Sequence, residues 1–350
     1  MIFVITRQLS KIKGGVSVEK KEQVKKKSII WNLTRQCVWN CKFCCVSARY
    51  TGSMDKKNLE KSKVYRYEDE LSYEEKIKII DQLEYGAYRI DFSGGELLID
   101  PLNIDLIEYA SKKLGSENVG ISISGRFVDD ELIERLKGKI SDVEITLDYI
   151  PYVPYSQRPI GYHEYAANAM INLKRNGYKV GAQTVLTNEN IKPKMLYKMH
   201  EWLEKNDIDE WSLIRFFPSG RGDSFIELTP TYTEYCNAID YIKKITKDSK
   251  VKVCYQYLLP NHDKYTRSCR AVKKSIGILP NGTVIGCFWA LDKDMKPKDE
   301  KFVLGRLPYQ NINDILKSSN AKQWIDNNSE CIFFNKEMLE DNYNSERIIY

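Results

Sequence analysis

Three cysteines stand close together near the start of the chain, in the stretch RQCVWNCKFCC at residues 35–45. Cys37, Cys41 and Cys44 have the spacing C-x3-C-x2-C and follow a short apolar run. Thiolates this close in sequence can surround one inorganic centre, either a structural zinc ion or an iron–sulfur cluster. Zinc favours four protein ligands, and the adjacent Cys45 is poorly placed as a fourth because neighbouring side chains point apart. Three thiolates favour an iron–sulfur cube with one open iron, and zinc is the alternative.

A second group of residues with chemical potential follows a predicted strand, in the stretch DFSGGELL. Ser93, Gly94, Gly95 and Glu96 lie where that strand ends. Two residues without a Cβ allow a ligand to approach the backbone closely, and a glutamate can accept hydrogen bonds from an ammonium group. An ordinary glycine turn is the alternative.

The composition is that of a folded protein of 350 residues, with 42% hydrophobic and 29% charged residues. Its apolar runs are too short for a membrane span, and the first residues lack the features of a secretory signal. We therefore expect a cytoplasmic protein, where nine cysteines favour metal or redox chemistry over disulfides. The net charge of +6 arises partly from five lysines between residues 20 and 27, so neither nucleic acid nor a membrane is an expected partner.

From residue 28 onward, apolar runs typical of strands alternate with amphipathic segments typical of helices. Ser72 and Glu75 fit a capping box at the start of the first helix, which is expected over residues 72–86. Six such units in succession predict an α/β fold, a partial (β/α)6 TIM barrel, with its chemistry at the C-terminal ends of the strands. The six strands are expected at residues 28–33, 88–93, 119–124, 142–148, 179–187 and 210–217.

The regular alternation of strand and helix patterns ends after residue 225. A helix and a strand follow, and then two β-rich runs flank Asn281-Gly282, a strong hairpin signal. We therefore predict four parts: a basic N-terminal segment at residues 1–27, the barrel at 28–225, a linking helix and strand at 226–254, and a small α+β domain at 255–350.

The cysteine spacing resembles C-x3-C-x-φ-C, the signature of the radical S-adenosylmethionine (radical SAM) superfamily, with Phe43 as the apolar residue φ. This resemblance implies that Cys37, Cys41 and Cys44 hold a [4Fe–4S] cluster whose fourth iron is chelated by S-adenosylmethionine. It also implies that Phe43 lies against the adenine. The glycine pair resembles the family's GGE motif, in which Glu96 would bind the amino group of the methionine.

Other strand ends complete the cofactor site that the resemblance implies. Ser122, Ser124 and Arg126 stand where relatives often contact the carboxylate or ribose, and Asp148 resembles the aspartate of the SLDG segment in peptide-modifying members. A helix or turn cap is the alternative for Asp148. The expected cofactor-binding residues are Phe43, Ser93, Gly94, Gly95, Glu96, Ser122, Ser124, Arg126 and Asp148.

Five further cysteines raise the question of a second cluster. Residues 269–289, CRAVKKSIGILPNGTVIGCFW, resemble the start of the auxiliary-cluster domains called SPASM or Twitch, although the full seven-cysteine SPASM pattern is absent. The resemblance implies one auxiliary [4Fe–4S] cluster, with Cys269, Cys287 and Cys331 as ligands and Cys254 as the candidate fourth. Ordinary buried thiols are the alternative, which we favour for Cys236.

The resemblance as a whole implies an enzyme. In the family mechanism, an external one-electron donor such as flavodoxin or ferredoxin reduces the cluster, and a 5′-deoxyadenosyl radical abstracts a substrate hydrogen. The layout points to a ribosomally made peptide that is cross-linked, epimerised or otherwise modified. In an epimerase, Cys236 or Cys254 would return a hydrogen atom. An enzyme acting on a sugar or nucleotide is the alternative, as is a metal-sensing or structural iron–sulfur protein, which has no use for an amino-acid clamp.

Overall fold

The computed structural model describes residues 26–52, 69–152, 157–256 and 271–326. Within these ranges the strands are β1 (Lys27–Asn32), β2 (Gln36–Cys37), β3 (Arg49–Tyr50), β4 (Tyr88–Ser93), β5 (Val119–Ile123), β6 (Asp142–Thr146), β7 (Val180–Leu186), β8 (Glu210–Arg215), β9 (Lys252–Tyr255), β10 (Ser275–Ile278), β11 (Thr283–Ile285) and β12 (Val303–Arg306). The helices are α1 (Tyr73–Asp81), α2 (Pro101–Leu114), α3 (Asp130–Leu136), α4 (Tyr162–Arg175), α5 (Pro193–Lys205), α6 (Tyr232–Ile245), α7 (Ile312–Lys317) and α8 (Ser319–Asp326).

A ten-stranded sheet organises the molecule, in the order β12-β11-β10-β1-β4-β5-β6-β7-β8-β9. All neighbours from β10 to β9 are parallel, and β11 and β12 are antiparallel additions beyond β10. The six strands expected from the sequence are β1 and β4 to β8, and their ends agree within two residues. The α/β partial barrel is therefore confirmed.

The two faces of the barrel strands differ in chemistry. In β4, Ile90 and Phe92 are buried against the helical layer, and the Phe92 ring contacts that of Trp31 from β1 at 5.7 Å between centroids. Arg89 and Asp91 alternate with them and therefore lie on the opposite, inner face. The apolar residues of the strands thus fix the helices outside and leave a polar inner face.

Helix α1 is shorter than predicted, because it ends at Asp81 instead of residue 86. Its capping box is confirmed. The Glu75 N–H donates to the Ser72 hydroxyl at 3.2 Å, and the Ser72 N–H donates to the Glu75 carboxylate at 2.8 Å. A left-handed residue, Gly86 (φ +80°), lies in the turn that leads into β4.

The predicted hairpin at Asn281-Gly282 is also confirmed, because β10 and β11 pair antiparallel on either side of it. Gly282 has φ +84°, and the Thr283 N–H donates to Asn281 Oδ1 at 3.1 Å. The sequence did not indicate that β10 pairs in parallel with β1, so that the C-terminal part extends the barrel sheet. The four predicted domain boundaries stay predictions.

In the ranges described, no helix is both long enough and apolar enough to cross a membrane.

Candidate cluster and cofactor site

Residues 37–48, here called the cysteine loop, leave the sheet after β1 and contain the three cysteines predicted to bind the cluster. The parallel pair β2–β3 closes the base of this loop. Within it, the Trp39 N–H donates to the Cys37 sulfur at 3.3 Å and the Ala48 N–H donates to the Cys44 sulfur at 3.4 Å. Cys37 and Cys41 are buried and Cys44 is half-buried, so the loop presents its thiols to the interior.

Burial dominates the electrostatics of the Cys37 and Cys41 thiols. Burial raises the pKa of Cys37, and the negative charges of Glu96 and the other two thiols raise it further. Burial also raises the pKa of Cys41, although the Arg158 guanidinium opposes this shift. The interactions place the three thiols near one another. A metal centre reverses this balance, because its positive charge favours the thiolates that ligate it.

The adjacent cysteine, Cys45, is not one of the predicted cluster ligands. Burial, and then the charge of Cys44, raise the pKa of Cys45 to about 12. In the described ranges no three His, Cys, Asp or Glu side chains converge as the ligands of one metal ion would. The ligands of an iron–sulfur cube need not converge on one ion, because each thiolate binds a different iron.

The Gly-Gly-Glu turn packs directly onto the backbone before the cysteine loop. The Gly95 N–H donates to the Thr34 carbonyl at 2.8 Å, and the Glu96 N–H donates to the Gln36 carbonyl at 2.7 Å. A Cβ on Gly94 would lie 2.7 Å from the Thr34 oxygen, and one on Gly95 would lie 2.1 Å from the Gln36 oxygen. The group that approaches both glycines in the structure is the backbone of the chain itself, and their contact with a cofactor stays a prediction.

Glu96 is the most buried carboxylate of the site, with 0% of its surface exposed. Its carboxylate accepts hydrogen bonds from the N–H and hydroxyl of Ser124 and from the Leu98 N–H at 3.3 Å. The Ser124 hydroxyl also accepts from the Trp39 indole at 2.9 Å. Glu96, Ser124 and Trp39 therefore connect the ends of β4 and β5 to the cysteine loop.

These residues fit the cofactors that the signature implies. Burial raises the pKa of Glu96, and no Lys or Arg of the described ranges forms an ion pair with it. A buried carboxylate without a cation beside three thiols is costly by itself, and an ammonium group would compensate it. The donor set thus suits an iron–sulfur cube together with an amino-acid ligand at Glu96.

Asp148 and Phe43 meet at a buried arginine. Arg158 Nε lies 2.7 Å from an Asp148 oxygen, and the other Asp148 oxygen accepts from the Val185 N–H at 2.8 Å. The Arg158 guanidinium lies 4.7 Å from the centre of the Phe43 ring, which also meets the Phe216 ring edge-on at 5.7 Å. Asp148 is thus neither a helix cap nor a turn cap, and it holds Arg158 beside the cysteine loop.

The other predicted cofactor residues lie at neighbouring strand ends. Ser93 and Ser122 are half-buried on the inner face, at the end of β4 and within β5. The Arg126 guanidinium lies 4.0 Å from the centre of the Tyr165 ring, and the Arg126 backbone N–H contacts the Ser124 hydroxyl at 3.4 Å. Their contact with a cofactor stays a prediction.

The second set of cysteines is only partly described. Cys287 follows β11 and is half-buried, whereas Cys269 and Cys331 lie outside the described residues. Cys254 lies on β9 beside the ion pair of Lys252 and Glu210, and Cys236 lies on the outer helix α6. The ligand roles of Cys287 and Cys254, and the hydrogen-donor roles of Cys254 and Cys236, stay predictions.

Sequence reasoning did not assign several residues that the structure brings to the site. Trp39 packs edge-on against Tyr162 at 5.2 Å, and Arg158 lies 5.1 Å from the Tyr162 ring. Arg221 contacts the backbone of the cysteine loop. Trp39 stands inside the cysteine signature, which was a usable signal, but the contacts of Arg158 and Arg221 join distant parts of the chain.

The inner face below the site carries several carboxylates. Arg89 pairs with Asp91 and Asp142 at 2.7 and 2.9 Å. Glu144 accepts from the Gln183 amide at 3.1 Å, and no Lys or Arg of the described ranges forms an ion pair with it. Burial, followed by repulsion from nearby carboxylates, raises the pKa of Glu144 to about 7. This face is an acidic surface, unlike the packed branched side chains of a complete TIM barrel.

Two family models match the chain. Residues 31–199 match the radical SAM superfamily, and residues 269–340 match SPASM, an iron–sulfur cluster-binding domain. A curated relative, Fe-coproporphyrin III synthase of Methanosarcina barkeri, is 29% identical over 226 residues, which is 64% of this chain and 52% of that protein. The chain thus spans about half the length of this relative.

Solved structures share the fold at low sequence identity. SuiB of Streptococcus suis, bound to the precursor peptide SuiA, has a TM-score of 0.63 and 12% identity over 85% of this chain and 65% of SuiB. A hexahistidine-tagged form of anSMEcpe with bound AdoMet (S-adenosylmethionine) has a TM-score of 0.59 and 14% identity over 85% of this chain and 79% of anSMEcpe.

The two family matches follow the order of the motifs along the chain. The first contains the cysteine loop and the Gly-Gly-Glu turn, and the second contains Cys287 and the hairpin strands. Both describe domains that bind iron–sulfur clusters, and the first also implies S-adenosylmethionine, as the resemblance of the sequence had indicated. The chain therefore carries a radical SAM domain, matched over residues 31–199, and a C-terminal SPASM domain, matched over residues 269–340.

Proposed function

We propose that this chain is a radical SAM enzyme that modifies a peptide at a C–H bond. When bound, the cluster and S-adenosylmethionine supply the hydrogen-atom abstraction. The chain's residues supply placement: Cys37, Cys41 and Cys44 hold the cluster, and Glu96 accepts the ammonium group of the cofactor. The helices and the inner face exclude water from the site.

The acidic inner face is the main observation in favour of a peptide substrate. Glu144 lies there without a cationic partner in the described ranges, and Gln183 and Ser212 contact it at 3.1 and 3.5 Å. Asn32 ends β1 on the same face, only 1% exposed, and its amide nitrogen has no hydrogen-bond partner among the described residues. Amide carbonyls and a basic side chain of a peptide would satisfy these groups.

The fold likeness supports the same class of substrate. SuiB was solved with its precursor peptide, and anSMEcpe was solved with the Cp18Cys and Kp18Cys peptides. A peptide also presents donors and acceptors at regular intervals, which matches a face lined by several strands.

A tetrapyrrole is the second candidate, because the curated relative is an Fe-coproporphyrin III synthase. A coproporphyrin carries propionate groups, which a carboxylate-rich face such as that of Asp91, Asp142 and Glu144 would repel, most strongly above pH 7, where Glu144 is charged. The cations at this face already have partners, because Arg89 pairs with two aspartates and Lys252 pairs with Glu210. The inner face therefore favours the peptide.

The test uses the full chain after anaerobic reconstitution, with dithionite and S-adenosylmethionine. We expect 5′-deoxyadenosine to form, and to form faster with a synthetic lysine-containing peptide than with the same peptide carrying glutamates. Iron coproporphyrin III serves as the third probe. Stimulation by the porphyrin alone would favour the second candidate, and no 5′-deoxyadenosine under any condition would exclude the enzyme.

A matched pair of variants links the product to the predicted ligands. Cys41→Ala should abolish 5′-deoxyadenosine, because it removes one of three cluster thiolates. Cys45→Ala changes the adjacent thiol, which is no predicted ligand, and should retain the product. Equal activity of the two variants would show that the cluster has been placed wrongly.

A further inference from the structure

Arg221 follows β8 and donates to the backbone of the cysteine loop from several atoms. Its Nε and Nη2 donate to the Cys41 carbonyl at 3.1 and 2.8 Å, and its Nη1 donates to the Ala48 carbonyl. Its own N–H donates to the Cys44 carbonyl at 3.1 Å. One residue thus contacts the carbonyls of two predicted cluster ligands and of the last residue of the loop.

The neighbours of Arg221 complete the contact, and residues 219–222 are here called the clamp segment. Gly220 has φ +59°, and a Cβ there would lie 2.6 Å from the Cys44 oxygen and 2.5 Å from the Cys45 oxygen. The Ser219 hydroxyl lies 3.4 Å from the Cys45 carbonyl. Only a glycine permits this approach of two backbones, so the clamp segment and the cysteine loop are fitted to each other.

The clamp segment is itself anchored on its other side. The Gly220 N–H donates to the Leu291 carbonyl at 3.0 Å, in the part of the chain that follows the hairpin. Lys298 pairs with Asp223 at 2.8 Å and donates to the Pro218 carbonyl at 3.3 Å. The clamp segment therefore joins the cysteine loop to the C-terminal part.

The charge of Arg221 is a separate property from its hydrogen bonds. No Asp or Glu of the described ranges forms an ion pair with Arg221, whereas Arg158, beside the same loop, is paired with Asp148 at 2.7 Å. An uncompensated cation beside a cluster stabilises the form with the added electron, because the reduced cluster carries more negative charge.

We propose that Arg221 is a positioning residue that holds the cysteine loop in its cluster-binding conformation before the cluster enters, and that its charge favours the reduced cluster. This inference rests on the proposed function insofar as the cysteine loop is the cluster site. It adds the residue that organises the loop, at a distance of 180 residues along the chain.

The first measurement is hydrogen exchange on the full chain without iron. In Arg221→Met we expect the loop amides of Lys42 and Ser47 to exchange at least about tenfold faster, because several hydrogen bonds to the loop are lost together. Arg221→Lys keeps the charge and can satisfy fewer carbonyls, so its exchange should be intermediate. Lys296→Met removes one positive charge from the segment after the hairpin. The exposed Lys296 side chain forms no hydrogen bond or ion pair with the loop or the clamp segment among the described residues, so this variant should exchange as the wild type does.

The second measurement is a redox titration of the reconstituted proteins, followed by electron paramagnetic resonance. Arg221→Met should bind less iron and show a more negative midpoint potential than Lys296→Met, whereas Arg221→Lys should keep a potential near that of the wild type. This pattern separates the charge of Arg221 from a merely structural role.

Unchanged loop exchange in Arg221→Met would overturn the positioning role, and equal potentials in the two Met variants would overturn the role of the charge. Should Arg221→Met fail to fold, Arg221→Lys decides, because exchange equal to that of the wild type would contradict the clamp. Wild-type protein that binds no iron would overturn the proposed function instead, and the exchange experiment would still report on the clamp.

Discussion

Glu144 is a carboxylate of the inner face whose pKa is strongly raised by its surroundings. Burial is the largest cause, and repulsion from Asp91, Asp142 and Glu210 adds to it. Together they raise the pKa of Glu144 from 4.5 to about 7. The folded chain therefore binds more protons at Glu144 than the unfolded chain between these two pH values. Stability must fall as the pH rises from 4.5 through 7, because the charged form is disfavoured in the folded state.

Glu144→Gln should remove this penalty. Because Glu144 is partly exposed, solvent screens the interaction, and we expect Gln to raise the free energy of unfolding at pH 8 by about 1 kcal/mol, with almost no effect at pH 4.5. Urea unfolding at both pH values measures the difference. A gain at pH 8 equal to that at pH 4.5 would contradict the shifted pKa.

Glu210→Gln is the control with the opposite sign. Burial opposes the shift, but the hydrogen bond and charge of Lys252 lower the pKa of Glu210. A lowered pKa contributes stability above the unfolded value and loses it as the pH falls through the folded value. Glu210→Gln should therefore destabilise the chain at pH 8, where Glu144→Gln stabilises it.

At this scale the sequence predicted the residues that stand in short motifs. The cysteine triplet and Gly-Gly-Glu are read from spacing alone, and the structure places Glu96 beside the thiols. The sequence analysis assigned no role to Arg158 or Arg221, since their partners, Asp148 and the Cys41 carbonyl, are chosen by the fold. Every residue has a backbone oxygen, so the partner of an arginine that donates to one cannot be recognised in the sequence by its residue type.

At the scale of the elements, the turn after β4 and the backbone after β1 form one unit. The N–H groups of Gly95 and Glu96 extend the pairing of β1 with β4 beyond the ends of both strands, to the carbonyls of Thr34 and Gln36. This contact sets the distance between the carboxylate of Glu96 and the base of the cysteine loop.

Gly95→Ala should destabilise the chain by about 2 kcal/mol or more, because the new Cβ would lie 2.1 Å from the backbone oxygen of Gln36, which cannot move alone. Gly181→Ala is the matched control, because a Cβ on Gly181 in β7 meets its nearest atom at 3.7 Å. Denaturant unfolding of both variants measures the difference. Equal stability of the two would show that the turn can move away from β2.

Sequence patterns predicted most of the elements because their signals are local. The alternation of β4, the capping box of Ser72 and Glu75, and the turn at Asn281-Gly282 each lie within a few residues. The pairing of β10 with β1 joins distant parts of the chain, such as Ile29 with Ile276, and neither strand carries a mark of its partner. Long-range pairing of this kind is decided by the packing of the whole chain.

At the scale of the whole molecule, the barrel and the C-terminal part share a sheet and a core. Ile278 of β10 lies in the same buried cluster as Ile29 of β1. The Ile312 N–H donates to the Gln82 side chain at 2.9 Å, and the Tyr309 hydroxyl donates to Glu75 at 2.7 Å. Contacts of α1 and the turn after it with the C-terminal part thus support the strand pairing.

A shared core predicts a single cooperative unfolding transition. Ile278→Ala should lower the free energy of unfolding by about 2–4 kcal/mol, because it leaves a cavity where the side chain was fully buried. Leu196→Ala makes a similar cavity on α5, in the barrel alone, and should have a similar cost. Both variants should still unfold in one step, because the barrel and the C-terminal part share one buried cluster.

Hydrogen exchange in low concentrations of urea reports on the two parts separately. In the wild type, the amides of β10 and of β6 should open with the same free energy, and both variants should lower the two values together. An Ile278→Ala variant in which β10 opens at lower urea than β6 would show two independent folding units. In that case, the clamp segment would be a contact between separately stable parts. If the two strands open together, a change in the C-terminal part reaches the cysteine loop through one continuous structure.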